Sequence, residues 1–247
     1  MNKLAIIGGS GLSNLEGLSI THQNCPLTPY GKPSAPLIFG TYAGKSVIFL
    51  ARHGVQHTIP PHKINYRANL WSLKEAGVTD IIAVAAVGGI HATMQPTDIV
   101  IPHQLIDYTW SREHTFFAGE PNPVTHVDFT NPYCEPLRKR LLQTIQDVPF
   151  KIHDRGVYGV TQGPRLETAA EVERMERDGC DIVGMTGMPE AVLARELGIC
   201  YATCAVVSNV AAGQDTDQIT MTEIEANLVI GLEQVRQLLT DVIKTLT

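Results

Sequence analysis

Arg52 and His53 follow directly on the apolar run 47–50, which puts a guanidinium and an imidazole where a buried strand is expected to end. Four other segments repeat that arrangement: GGSGL at 8–12, TQGPRLETAAE at 161–171, GMTGMPE at 184–190 and VVSNVAAG at 206–213. A glycine turn offers backbone N–H groups that, with the Ser10 hydroxyl, can cradle a small anion such as phosphate. An arginine at a strand end can hold the same anion through a forked pair of hydrogen bonds. Each segment also has a plainer reading. Arg52 can be a surface ion pair, Glu167 a helix-start acid favoured by the macrodipole, Met185 a core residue, Thr186 a cap, and Asn209 a turn residue.

Several better-known motifs fail on inspection. A dinucleotide GxGxxG counted from Gly9 needs glycine at position 14, where Asn14 stands. His53 and His57 have HxxxH spacing, yet Gly54, Pro60 and Pro61 oppose a helix and no carboxylate lies between the two, so no metal site is expected. The chain has no GxSxG nucleophile motif. Its five cysteines (Cys25, Cys134, Cys180, Cys200, Cys204) are odd in number and form no CxxC, and they are expected to be buried thiols.

The elements that must position these residues follow from composition and pattern. With 247 residues, 44% hydrophobic, 18% charged and 6% aromatic, the chain reads as an ordinary globular unit, able to bury roughly 70–75% of its unfolded surface. Nineteen Lys+Arg against 25 Asp+Glu give a formal charge of −6, and no basic run exceeds Arg138-Lys139-Arg140. No nucleic-acid or anionic-membrane partner is therefore expected, and an anion would need a local site. The apolar run 81–90 is too short to cross a bilayer and MNKLAIIGG too short for a signal peptide, so a cytoplasmic protein is expected.

Strands are predicted at 3–7, 37–42, 47–50, 80–87, 98–102, 156–162, 182–185 and 201–209, with 37–42 and 47–50 forming a hairpin. Helices are predicted at 64–76, 167–178, 189–197 and 222–246, the last with Ile224, Leu228, Leu232, Val235, Leu239, Val242 and Leu246 near helical spacing and a capping box from Thr222 to Glu225. This alternation predicts an α/β fold: a single domain over 1–247 with a central mixed, largely parallel β-sheet flanked by helices. Residues 108–133, rich in Pro, Gly and His, form the one long irregular excursion, and such loops are often functional. In sheets of this kind ligands bind at the carboxyl ends of the strands, where all five segments lie.

In this order GGSGL, ARHG (51–54), AVGGI (86–90), QGPRLET, GMTGMPE and SN (208–209) resemble the purine nucleoside phosphorylase family, in its methylthioadenosine phosphorylase branch, over residues 4–245. The resemblance implies an enzyme that cleaves the N-glycosidic bond of a purine nucleoside with inorganic phosphate, uses no metal or organic cofactor, and assembles as a homotrimer. It implies that Ser10, Arg52, His53 and Thr186 bind phosphate, with the backbone near Ala86 helping, and that Met185 packs against the sugar. Asn209, Arg52 and Thr186 would form the catalytic set. Leu166 and Glu167 would meet the base, Met221 and Ile224 would line the 5′ pocket, and His126 aligns with a residue that reaches into a neighbouring subunit's site.

The chain departs from that branch at informative positions. Where the methylthioadenosine enzymes carry two aspartates this chain has Asn209 and Ala211, and where they carry a small hydroxyl residue it has Glu167. Glu167 and Asn209 instead match the pattern of the 6-oxopurine phosphorylases. A 6-oxopurine presents N1–H and a carbonyl at C6, so it calls for a carboxylate acceptor and an amide donor; a 6-aminopurine presents the reverse. At the sugar end, apolar Met221 and Ile224 suit a methylthio group, because burying a hydroxyl there without a partner would cost roughly 1–3 kcal/mol. Together these residues point to 5′-methylthioinosine. The alternatives are a general inosine/guanosine phosphorylase, a methylthioadenosine phosphorylase despite the changed residues, and a non-catalytic nucleoside sensor that has kept the pocket.

Overall fold

The computed structural model describes residues 3–119, 124–143, 148–214 and 219–245. In chain order the elements are β1 (Leu4–Gly8), β2 (Ser19–Asn24), β3 (Leu37–Tyr42), β4 (Lys45–Ala51), α1 (Tyr66–Glu75), β5 (Asp80–Gly89), β6 (Ile99–Val100) and β7 (Gln104–Asp107), then α2 (Glu135–Gln143), β8 (Ile152–His153), β9 (Val157–Val160), α3 (Ala169–Arg177), β10 (Ile182–Gly184), α4 (Gly187–Glu196), β11 (Cys200–Val210) and α5 (Met221–Thr245). The strands join one mixed sheet with the path β2-β3-β4-β1-β5-β10-β9-β7, and β11, β6 and β8 branch from β5. This is the α/β architecture that the alternating pattern predicts.

The spine is β5, whose near-continuous apolar run DIIAVAAVGG is buried along its length, as expected of a strand covered on both faces. One edge pairs in parallel with β11 from end to end. The other edge pairs in parallel with β1 only as far as Ile7↔Ala83, and then antiparallel with β10 from Gly88 and Gly89. Residues 84–87 therefore have no partner strand on that edge, and the sheet forks there. A fork of this kind at the carboxyl end of parallel strands leaves a crevice where backbone and side chains can meet a ligand.

Most predicted elements recur with small shifts at their ends. Helix α5 starts at Met221, and its apolar stripe Leu228, Leu232, Val235, Leu239 and Val242 is buried; Leu246 lies outside the described residues. The Thr222–Glu225 capping box does not form, because the helix begins earlier and Thr220 Oγ1 accepts from the Glu223 N–H. A capping box does form at Thr168 and Glu171, at the start of α3. The cysteine expectation is corrected too. Cys134 and Cys200 form a disulfide with Cα atoms 5.2 Å apart, Cys25 is an exposed thiol, and only Cys180 and Cys204 are buried thiols. The fold lays the residue before α2 beside the start of β11, with the Cys134 N–H donating to Tyr201 O at 2.8 Å, a proximity that residue spacing does not reveal. Among the described residues no helix is long and apolar enough to cross a membrane.

Candidate active site

A cavity of about 670 Å³ opens at the fork, lined by residues from all five motif segments and by one face of α5. Ser10, Arg52, His53, Ala86, Leu166, Glu167, Met185, Thr186, Asn209, Met221 and Ile224 all border it. His126 does not: it is exposed, in the second described part of the 108–133 loop. A second cavity of about 710 Å³ lies beside the disulfide. No residue of the motif segments lines it, and its most buried cation, Arg138, is consumed by the carbonyls of Ile101, Pro102 and Asp154 and by Glu135.

One end of the first cavity is built around a buried charge pair. Arg52 is 1% exposed, and its fork faces Glu190: Nε donates to Oε1 at 2.7 Å and Nη2 to Oε2 at 2.8 Å, while Nη1 donates to Val84 O at 2.8 Å. The fork that could hold an external anion is thus spent on a carboxylate within the fold. Of five guanidinium N–H groups, two remain for a ligand, one on each terminal nitrogen. Glu190 accepts a third hydrogen bond, from Tyr201 OH at 2.8 Å. Burial alone would depress the arginine's affinity for its proton, but the Glu190 charge and hydrogen bonds outweigh it, so Arg52 is held firmly cationic.

His53 is fixed in the opposite state. Its Nδ1 lies 2.8 Å from Ile59 O, which only accepts, so Nδ1 carries the proton and Nε2 presents a lone pair. Burial, reinforced by the neighbouring Arg52 charge, lowers its pKa to about 4, so the ring is neutral at pH 7. The His57 ring sits 4.5 Å away and its Nε2 lies 3.4 Å from Ser10 Oγ; burial lowers its pKa as well. The two histidines sit on a turn rather than a helix. Gly9 is required here, since a Cβ would lie 2.5 Å from Val84 O and 2.9 Å from Arg52 Nη1.

Because backbone groups alternate sides along a strand, the Val84 carbonyl that meets Arg52 places the Ala86 N–H and C=O on the same unpaired edge, facing the cavity. Thr186 is buried at the N-terminus of α4 and makes no side-chain capping bond to that helix, so the cap reading does not apply. Met188 has extended backbone (φ −119°, ψ 138°) that interrupts α4, and Glu190, the partner of Arg52, lies just beyond that break.

The other end of the cavity has no ion pair and is built from hydrogen bonds to hydroxyl and backbone groups. Glu167 precedes the Thr168 cap, so it is not a first-turn acid of α3; Thr161 Oγ1 donates to its Oε1 at 2.6 Å and leaves Oε2 open. Across the cavity, a β-bulge between Val207 and Asn209 shifts the register of β11 so that Asn209 opposes Gly88. Bulges re-aim side chains in this way. Asn209 Nδ2 donates to Val210 O at 2.8 Å, which assigns the amide nitrogen; Oδ1 lies 2.8 Å from Ser208 Oγ. One Nδ2 N–H is left without a protein partner. Met185 closes the side between the two ends and lies so near Gly163 that a Cβ there would collide with its sulfur.

The whole chain fits a known family. A family model described as the phosphorylase superfamily matches residues 3–244. The chain belongs to the phosphorylase superfamily. A protein of Pseudomonas syringae named probable S-methyl-5′-thioinosine phosphorylase is 56% identical over 244 residues, covering 98% of this chain and 99% of that one. The 6-oxopurine nucleoside phosphorylase of Pyrococcus furiosus is 48% identical over 229 residues, covering 91% and 85%. The methylthioadenosine phosphorylase of Schistosoma mansoni, solved with adenine, superposes with a TM-score of 0.93 at 32% identity and covers 98% of this chain and 91% of its own. This superfamily member is thus an enzyme of the phosphorylase type, and the family resemblance read from GPRLET and GMTGMPE holds.

Proposed function

We propose that the protein is a 5′-methylthioinosine phosphorylase, converting 5′-methylthioinosine and inorganic phosphate to hypoxanthine and 5-methylthioribose 1-phosphate. The observation that carries this reading is the pairing of an open Glu167 oxygen with a free Asn209 N–H across one cavity. In this reading Glu167 Oε2 accepts from the purine N1–H and Asn209 donates to N7 or O6. As the C1′–N9 bond breaks, its electron pair moves onto the purine, and the Asn209 N–H stabilises charge that develops there. A phosphate oxygen then bonds to the cationic anomeric carbon, and the proton that hydrogen phosphate gives up in becoming the sugar phosphate balances the one that the departing purine anion takes up to leave as hypoxanthine. Holding that oxygen beneath C1′ is the larger part of the catalysis.

Phosphate binding in this reading relies on hydrogen bonds more than on net charge, because Glu190 already neutralises Arg52. The two spare Arg52 N–H groups, the Ser10 and Thr186 hydroxyls and the Ala86 N–H face the unprotonated oxygens. The lone pair on His53 Nε2 accepts from the single P–OH of hydrogen phosphate. Met221 and Ile224 on α5 receive the methylthio group, and Leu166 borders the base. The reaction uses no cofactor beyond its phosphate co-substrate. We further propose a cytoplasmic homotrimer engaged in purine salvage, in which His126 reaches a neighbouring subunit's site.

A general 6-oxopurine phosphorylase is the second reading, favoured by the likeness to the Pyrococcus furiosus enzyme. Comparing kcat/KM for methylthioinosine, inosine and methylthioadenosine in the presence of phosphate separates the readings. The expected order places methylthioinosine first. Inosine in first place would establish the second reading, and a tenfold preference for methylthioadenosine would overturn the roles given to Glu167 and Asn209. Ligand binding with no phosphate-dependent turnover would mark a sensor.

A further inference from the structure

The irregular 108–133 loop, none of whose described residues lines the cavity, sends the Arg112 side chain inward. Arg112 is buried, and its guanidinium donates Nε to Gln162 Oε1 at 3.0 Å, Nη2 to Thr161 O at 3.1 Å and to Gln162 O at 2.8 Å, and Nη1 to Met185 O at 2.8 Å and Met188 O at 2.6 Å. Those five acceptors use every N–H that an arginine has; the Tyr66 hydroxyl sits at the margin, 3.4 Å from Nη1. Among the described residues no carboxylate pairs with it. Its loop is itself anchored: Glu113 pairs with Arg67 at 2.8 Å, and Thr115 Oγ1 and the Phe116 N–H both donate to Glu196 at 2.7 Å.

The acceptors belong to two loops. Strands β9 and β10 run parallel, and their ladder ends with the Thr161 N–H donating to Gly184 O at 2.8 Å. Beyond that point the chain after β9 carries Glu167, and the chain after β10 carries Met185 and Thr186. The Arg112 guanidinium stands in for the missing ladder, binding the Thr161 and Gln162 carbonyls on one side and, on the other, those of Met185 and of Met188, whose extended backbone interrupts the start of α4. It touches no cavity surface.

We propose that Arg112 is a positioning residue that fixes the distance between the base-recognising loop and the anion-binding loop. This rests on the functional reading above. Each loop keeps its own ligand contacts without Arg112, but their spacing sets where a phosphate oxygen lies relative to C1′ of a base held by Glu167. A displacement near 1 Å between reacting groups can cost about 100-fold in rate. Arg112→Lys offers at most three donors on a single point and cannot span the fork.

The test is steady-state kinetics of Arg112→Lys, normalised to folded protein, with the nucleoside that the wild type turns over fastest. The expected result is a kcat lowered by about 100-fold with KM for both phosphate and nucleoside within about threefold of wild type. Gln162→Ala, which removes the acceptor shared by Arg112 Nε and the Trp110 N–H and serves if Arg112→Lys does not fold, should lower kcat in the same manner by a smaller factor. Unchanged kcat per folded enzyme, in either variant, reduces Arg112 to a structural tie and overturns the proposal while leaving the functional reading intact. A rise in one KM alone overturns it too, since that would mean Arg112 serves one loop rather than their spacing. If the wild type releases no base from any nucleoside, the functional reading fails first and the spacing proposal falls with it.

Discussion

The two ends of the cavity are built on different principles. At the anion end, Arg52, Glu190 and Tyr201 are almost fully buried and cross-braced by charged hydrogen bonds, and His53 is neutral with one nitrogen committed to a carbonyl. At the base end, Glu167 and Asn209 are only half-buried and are oriented by Thr161, Ser208 and a backbone carbonyl. The anion end is therefore part of the core as much as part of the site, and changing it should disturb folding. The base end carries a donor–acceptor pattern that can be rewritten with little effect on stability. Such a division suits the relatives described above, all named phosphorylases but named for different nucleosides.

Removing Arg52 should break this contrast most visibly. Arg52→Met leaves Glu190 buried without its cation, and losing one partner of such a pair costs about 3–5 kcal/mol. Urea unfolding would report that loss, together with a collapse of phosphate use. Adding Glu190→Gln to Arg52→Met should recover most of the stability and none of the activity, which separates the core role of the pair from its ligand role. A single variant with wild-type stability would show that the anion end is not part of the core.

The pH dependence of folding probes the same end. His53 has its pKa lowered to about 4 in the folded protein, against about 6.5 when unfolded. Below pH 6.5 the unfolded chain binds a proton that the folded chain refuses, so stability contributed by the neutral ring is present above pH 6.5 and is lost as pH falls toward 4. The loss is on the order of 3 kcal/mol at 1.36 kcal/mol per pH unit. In His53→Asn the stability difference between pH 7 and pH 4.5 should shrink accordingly; an identical pH profile would mean that His53 is not held neutral by the fold.

The base end should respond in specificity alone. Glu167→Ser with Asn209→Asp is expected to move the ratio of kcat/KM for methylthioinosine over methylthioadenosine by at least about 100-fold toward the aminopurine. Mismatched polar partners can reject an isostere by up to about 10⁴–10⁵. The free energy of unfolding should stay within about 1 kcal/mol of wild type, as for changes away from a packed core. A ratio that does not move removes the base-reading role from both residues.

The same contrast explains what the sequence disclosed. Strongly apolar β1, β4, β5 and β11 and the stripe of α5 are legible because burial on one or both faces imposes a pattern. Strand β2 (SITHQN) is exposed along its length, α2 (EPLRKRLLQ) has few apolar positions, and β8 has two residues, so none carries a readable period. At the site, Ser10, Arg52, Glu167, Thr186 and Asn209 stood out because polar residues interrupt apolar runs where strands end. Ser208 was visible in the same way, although the bulge that turns Asn209 inward is a property of pairing. Glu190 lay within a quoted motif, but its partnership with Arg52 spans 138 positions. Arg112 left no local signal, since its role depends on two loops that meet only after folding, and the Cys134–Cys200 bridge was hidden for the same reason.

In the proposed reaction Glu167 and Asn209 read the purine while hydrogen phosphate sits at Arg52, Ser10 and Thr186. A crystal structure of the enzyme with hypoxanthine and sulfate tests it directly. The expected structure has Glu167 Oε2 and Asn209 Nδ2 within hydrogen-bond range, about 2.7–3.2 Å, of N1 and of N7 or O6, with sulfate against the two spare Arg52 N–H groups. A ring seated elsewhere, or one whose edge meets neither side chain, would contradict it.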